Sequence, residues 1–216
     1  MRSKLVLSAV ALLLIASARP AAADPIGVAG GPACENDTCQ GSIYWLEYDP
    51  TPLGSDADST QYEIVLRIDT TAYTGGGSNI DDVAFKVSPN LDGVALLDAP
   101  GGAGDWSAML GGINASGCDA NASNGFGCTT SNDDSNATLP FAGIYEWRFV
   151  ADVPTGTLLT DPFAASIKAR YVDGDGEKIG ALVSEPITLQ VIPEPGTALL
   201  LLLGLAGISR VGTARS

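Results

Sequence analysis

Histidine is missing from all 216 residues of this chain. Its absence rules out Ser-His-Asp and Cys-His catalysis and removes a common ligand of zinc. Positive charge is scarce too. The chain carries 11 lysines and arginines against 25 acidic residues. Residues 24–192 hold only Arg67, Lys86, Arg148, Lys168, Arg170 and Lys178 against 24 carboxylates, a formal charge of −18. Such a segment repels phosphate backbones and anionic bilayers, so nucleic acid is excluded as a partner. Aromatic residues make up 6% of the chain, yet a hydrophobic content of 45% is too high for disorder. Long apolar runs are confined to the two ends. Carboxylates are plentiful enough for glycoside hydrolysis, but the sequence singles out no pair. A non-enzymatic protein without a cofactor is expected, with Ca²⁺ the one candidate ion.

The N-terminus has the three parts of a secretory signal. Arg2 and Lys4 supply a positive start, Leu5 to Ala16 an apolar stretch, and Ala21-Ala22-Ala23 the small residues a signal peptidase reads. Cleavage is expected before Asp24, giving a signal peptide over residues 1–23. Signal peptidase and the secretion machinery are the implied partners, and an uncleaved anchor is the competing reading.

Four cysteines, Cys34, Cys39, Cys118 and Cys128, form an even set in a chain with an export signal, which reads as two disulfides. Three connectivities are possible. Local pairing, Cys34 with Cys39 and Cys118 with Cys128, closes two small polar loops and is favoured. A structural zinc site is disfavoured, because the CxxC repeats are missing.

Between the ends the pattern is that of strands. Gln61 to Asp69 alternates, with Tyr62, Ile64, Leu66 and Ile68 on one face and Glu63 and Arg67 on the other. Asp82 to Ser88 alternates likewise, with Val83, Phe85 and Val87 inward. Ser42–Tyr48, Val94–Asp98, Ile144–Val150, Ala165–Val172, Lys178–Val183 and Ile187–Val191 add further strands. Ala99 to Pro140 shows no such period and reads as a packed loop holding Cys118 and Cys128. These strands, with no amphipathic helix among them, predict an all-β domain over residues 24–190. It would be a single antiparallel β-sandwich, Ig-like or jelly-roll-like.

The last segment, residues 191–216, is organised differently. Pro193 and Pro195 lack backbone donors and favour extended conformations, so Pro193-Glu194-Pro195-Gly196 ends the sheet as an extended peptide. Gly196 to Ser209 supplies 14 largely apolar residues, with a short apolar helix expected over 197–209. That helix is about 21 Å long at 1.5 Å per residue, against a bilayer core of roughly 30 Å. Arg210 follows it, in agreement with the positive-inside rule.

This order resembles the PEP-CTERM sorting signal of Gram-negative bacteria. The resemblance rests on Pro193, Glu194, Pro195, Gly196, the apolar helix and Arg210, about 26 residues in all. Here Arg210 and Arg215 stand apart where the family usually clusters its basic residues. The resemblance implies recognition by exosortase, a membrane processing enzyme. An inner-membrane intermediate would then give way to a protein at the cell surface or in the extracellular, biofilm matrix. Phe85-Lys86-Val87-Ser88 and Ala165-Ser166-Ile167-Lys168-Ala169 are also similar to stretches of other exported proteins with this tail.

The remaining candidates are ligand sites. Asp173, Asp175 and Glu177 alternate along a glycine-rich turn and could offer oxygens to Ca²⁺, but without EF-hand spacing the acidic hairpin turn is the favoured reading. Asp81-Asp82 and Asp133-Asp134 read as solvated loop charges. Sequons at Asn36, Asn114, Asn121 and Asn136 read as by-products of polar loops in a bacterial protein. Trp45 and Trp147 are expected in the core, and Trp106, in the loop, is the candidate sugar contact. The expected function is association with extracellular polysaccharide, either as a structural matrix protein or as a carbohydrate- or Ca²⁺-binding module.

Overall fold

A computed structural model describes residues 25–28, 34, 38–123, 125–132, 139–140, 143–157, 159, 165–179 and 183–192. Residues 22–191 form one compact unit. The signal-peptide segment 1–23, the Pro193–Gly196 motif, the 197–209 helix and Arg210 lie outside the described residues.

Fourteen strands run in chain order through the described residues. They are β1 (Ile43–Tyr48), β2 (Gly54–Ser55), β3 (Ser59–Asp69), β4 (Asn79–Lys86), β5 (Gly93–Asp98), β6 (Trp106–Leu110) and β7 (Gly112–Asn114). There follow β8 (Gly117–Asp119), β9 (Gly127–Ser131), β10 (Leu139–Pro140), β11 (Ile144–Pro154), β12 (Ser166–Val172), β13 (Val183–Pro186) and β14 (Gln190–Val191). The first sheet has the order β14-β1-β3-β11-β5 with β2 on β3. The second has the order β13-β12-β4-β9-β6 with β10 on β4, and β7 and β8 form a separate pair. All pairings are antiparallel except β1 with β14.

The two large sheets pack face to face, as the all-β sandwich requires. Phe85 of β4 meets Phe149 of β11 at 4.7 Å between ring centroids, and Trp106 of β6 meets Trp147 of β11 edge-on at 5.4 Å. The hydroxyls of Tyr44 and Tyr171 meet across the core, and Tyr171 donates to Ser42 Oγ at 3.0 Å. Burial raises both phenols, that of Tyr171 to about 12, so they stay neutral and act as core hydrogen-bonding groups. Ile64, Leu66, Ile68, Phe85 and Phe149 are fully enclosed, each contributing roughly 1.5–3 kcal/mol through burial.

Alternation in β3 follows the predicted inward set, and neighbouring β11 buries Trp147, Phe149, Ala151 and Val153. Their outward residues build a ladder in which Arg67 bridges Glu47 and Glu146 while Arg148 pairs with Glu63. Trp45 departs from expectation. The period that buries Tyr44, Leu46 and Tyr48 turns Trp45 to the half-buried outer face beside Arg67. The loop predicted over Ala99–Pro140 contains β6 to β10, strands of two to five residues too short to show a period. Near the end, Lys178 makes a single bridge to Val172, and Ile187 to Leu189 carry the chain across to β14.

Candidate functional site

The second sheet differs from the first in being covered on its outer side. Asp82, Val83, Ala84 and Phe85 of β4 are all buried, which one core cannot produce from alternating side chains. The β7–β8 hairpin lies against β4, β9 and β12 and shields their outward residues. Ile113 of the hairpin joins Ala84, Phe126 and Cys128 in a second, small apolar cluster, with Cys118 packed against it. The disulfide between Cys118 of β8 and Cys128 of β9, with Cα atoms 5.9 Å apart, ties the hairpin down. The other cysteines are also joined locally, Cys34 to Cys39 at 5.8 Å.

Beneath the hairpin lies a charge cluster in which Asp82 is buried and Asp81 and Arg170 are half-buried. Register places Arg170 of β12 directly opposite Asp82 of β4, and its guanidinium bonds to Asp81 and, at 3.1 Å, to Asp82. Asp82 also accepts the Cys118 backbone N–H at 3.0 Å, so a buried carboxylate on the outer face of β4 grips the disulfide-bearing strand. Gly117 permits this contact. It adopts φ +115°, and a side chain there would crowd both Asp82 oxygens. One cation thus serves two carboxylates. Burial first, then the Asp82 charge, push Asp81 up against the pull of Arg170, to about 8. The reading of Asp81-Asp82 as solvated loop charges is therefore corrected, since Asp82 is 1% exposed and both lie on a strand.

Asp82 and the sulfurs of Cys118 and Cys128 lie within 4.8 Å of one another. The sulfurs are bonded to each other and offer no thiolate, so the cluster is not a metal centre.

A cleft of about 230 Å³ is lined by Asn90, Leu91, Leu110, Gly111, Ala120, Gly125 and Phe126, the last a member of the small apolar cluster. Lys168 stands over the Phe126 ring at 4.6 Å and Lys86 at 5.8 Å. Lys168 donates to Ser123 Oγ at 2.8 Å. Burial, and secondarily the Lys86 charge, lower the Lys168 ammonium from its ordinary range. Sequence reasoning passed over this pair. Its only trace is Lys86 and Lys168 at outward positions of two strands, and nothing in the chain order shows that those strands are neighbours.

The ligand candidates from the sequence fare differently. Trp106 is 4% exposed, packs on Trp147 and donates its indole N–H to the Pro100 carbonyl at 2.9 Å. It is a core residue with no ring face for a sugar, and the sugar-contact reading is corrected. Asp173 Oδ1 accepts the backbone N–H groups of Asp175 and Glu177, capping its own turn. The carboxylates of Asp173, Asp175 and Glu177 do not converge within 4.8 Å. Among the sequon asparagines, Asn114 donates to Asp119 at 2.8 Å and Asn121 is exposed beside it. Asn36, Asn136 and Asp133-Asp134 lie outside the described residues. Among the described residues, no helix is long and apolar enough to cross a membrane.

Compared with known proteins, the chain matches no family model and none of the curated proteins. The class is thus defined by fold and site alone: a two-sheet β-sandwich whose second sheet carries a disulfide-stapled hairpin over an Asp-Asp-Arg cluster centred on buried Asp82.

Proposed function

We propose that this chain is a non-enzymatic protein exported to the surface or extracellular matrix of a Gram-negative bacterium. In this reading an N-terminal signal directs secretion. Exosortase then recognises Pro193-Glu194-Pro195-Gly196, with the apolar run and Arg210 holding the intermediate in the inner membrane. The released domain associates with exopolysaccharide. The observation that carries the reading is the pairing of all four cysteines into two local disulfides, a feature of oxidising compartments. The ion-pair ladder on the first sheet and the charge of −18 suit a domain that stays dispersed outside the cell.

Mass spectrometry of the protein from its native host tests the proposal. The expected product starts at Asp24 and ends near Pro193–Gly196. A chain intact to Ser216, unchanged when the host's exosortase is deleted, overturns it. Pro193→Ala with Pro195→Ala should accumulate as membrane-bound precursor.

A further inference from the structure

Of the four Asn-x-Ser/Thr triplets, two carry an acidic residue two positions before the asparagine: Asp119 before Asn121, and Asp134 before Asn136. The structure describes Asn114 and Asn121, and it sets them apart. Asn114 belongs to β7 and is half-buried. Its amide nitrogen donates to Asp119 Oδ2 at 2.8 Å, and its Oδ1 accepts the Ser116 backbone N–H at 2.7 Å. Both ends of that side chain are therefore occupied within the hairpin. Asn121 stands exposed in the turn that leaves β8, flanked by exposed Ala120 and Ser123. The turn has a fixed shape. Ala122 N–H donates to the Asp119 carbonyl at 3.0 Å, and Asp119 Oδ1 accepts the Asn121 backbone N–H at 2.8 Å. The Cys118–Cys128 disulfide anchors its root.

An amide nitrogen is a poor nucleophile, because its lone pair is delocalised into the carbonyl. An enzyme that uses one must grip the residues around it and bring the donor into line. The segment therefore has to be reachable, and its flanking polar groups have to supply the grip. Asn121 has one on each side. The Ser123 hydroxyl, two residues after, is exposed and accepts only the Lys168 ammonium at 2.8 Å among the contacts of its side chain described. The Asp119 carboxylate, two residues before, offers a charge that a cationic transferase site can hold by a strong hydrogen bond. Asp119 Oδ1 also meets the Asn121 side-chain nitrogen, at 3.3 Å, long enough to yield to a tighter partner.

We propose that Asn121 is an N-glycosylation site, modified after export by a membrane-bound oligosaccharyl transferase that reads Asp119-Ala120-Asn121-Ala122-Ser123. The donor is an oligosaccharide joined through its anomeric carbon to a lipid diphosphate. The Asn121 amide nitrogen attacks that carbon. A C–N bond forms as the C–O bond to the diphosphate breaks, and the lipid diphosphate leaves with the electron pair. The nitrogen gives its extra proton to a base of the transferase, so the step needs no oxidant or reductant. The proposal rests on the export reading above, since disulfides and this donor then meet the chain in the same compartment. A domain already folded there offers Asn121 and withholds Asn114. For Asn121, the by-product reading of the sequons is replaced.

The test is glycopeptide mass spectrometry of the full chain purified from its native host, with fragmentation that leaves glycans on their asparagines. Asn121 should carry an oligosaccharide and Asn114 none. Asn121→Gln and Ser123→Ala should each abolish the glycan, and Ser123→Thr should keep it. Asp119→Asn should lower occupancy about tenfold, the worth of one charge-assisted contact, while Asp119→Glu retains it. Asp119 also braces the turn, so the melting temperature of each variant is measured alongside. Occupancy should follow the charge at position 119 and not the melting temperature. A bare Asn121 in the exported protein overturns the proposal. So does undiminished occupancy in Asp119→Asn, which would mean that the triplet alone is read. A single hexose in place of an oligosaccharide overturns the lipid-linked donor. The two readings fail separately. A chain ending near Pro193–Gly196 with a bare Asn121 sinks the glycan alone, and a chain intact to Ser216 with a glycan on Asn121 sinks the sorting reading alone.

Discussion

Arg170 faces one buried and one half-buried acidic side chain with a single guanidinium, and that imbalance has a measurable consequence. Asp81 is raised from about 3.8 in the unfolded chain to about 8 in the fold, first by burial and then by the Asp82 charge. The folded state therefore keeps a proton over an interval where the unfolded chain has lost it. Its contribution to stability is fully present below pH about 4 and is lost as pH rises toward 8. Urea unfolding should show stability falling across this interval. Asp81→Asn should flatten that slope and match or exceed the native protein at pH 8. Arg170→Met keeps the aliphatic stem but leaves the Asp82 carboxylate without its cation beneath the hairpin. It should lower stability at pH 7 by about 3–5 kcal/mol. A loss under 1 kcal/mol would mean that water reaches the cluster.

The β7–β8 hairpin is the element that turns an ordinary sandwich into one with a covered outer face. Its three-residue strands cannot stand alone. Three anchors hold it: the Cys118–Cys128 disulfide, the Asp82 bond to the Cys118 N–H, and Ile113 in the small cluster. Cys118→Ser with Cys128→Ser removes the cross-link, and a loop of 10 residues is worth about 3 kcal/mol by chain entropy. Thermal unfolding should register that loss. Hydrogen exchange at Cys118 and Asp119 should rise far more than exchange in β3. A uniform rise across both sheets would show that the hairpin is integral to the core.

Some of this architecture is written locally and some is not. Tyr62, Ile64, Leu66 and Ile68 declare β3, because a strand with one wet face must alternate. The local cysteine pairs are likewise legible from their short separations. Asp82 misleads for the same reason that β3 informs. Alternation with Val83 and Phe85 turns it away from the core, and the sequence has no sign that a second layer covers it. Trp106 misleads because glycine and asparagine surround it in the chain, whereas its packing partner, Trp147, is 41 residues away. Cross-strand partners such as Arg170 and Asp82 belong to register, which distant pairing decides.

At the scale of the molecule, the charge of −18 over residues 24–192 also makes stability fall as pH rises, since each ionised carboxylate adds repulsion in the compact state. This trend has the same sign as the Asp81 effect, and salt separates the two. The Debye length shortens from about 30 Å at 0.01 M to about 3 Å at 1 M, so repulsion between exposed carboxylates is screened while a buried cluster is not. Raising NaCl from 0.01 to 1 M at pH 8 should raise Tm by several degrees. The loss of stability between pH 5 and 8 should shrink but persist at high salt, and the residue should vanish in Asp81→Asn. If the variant keeps the high-salt slope, titration is spread over many carboxylates and the Asp-Asp-Arg cluster does not govern it. If salt lowers Tm, the ladder of Arg67, Arg148 and their glutamates outweighs the net charge, because screening would then be removing attraction rather than repulsion.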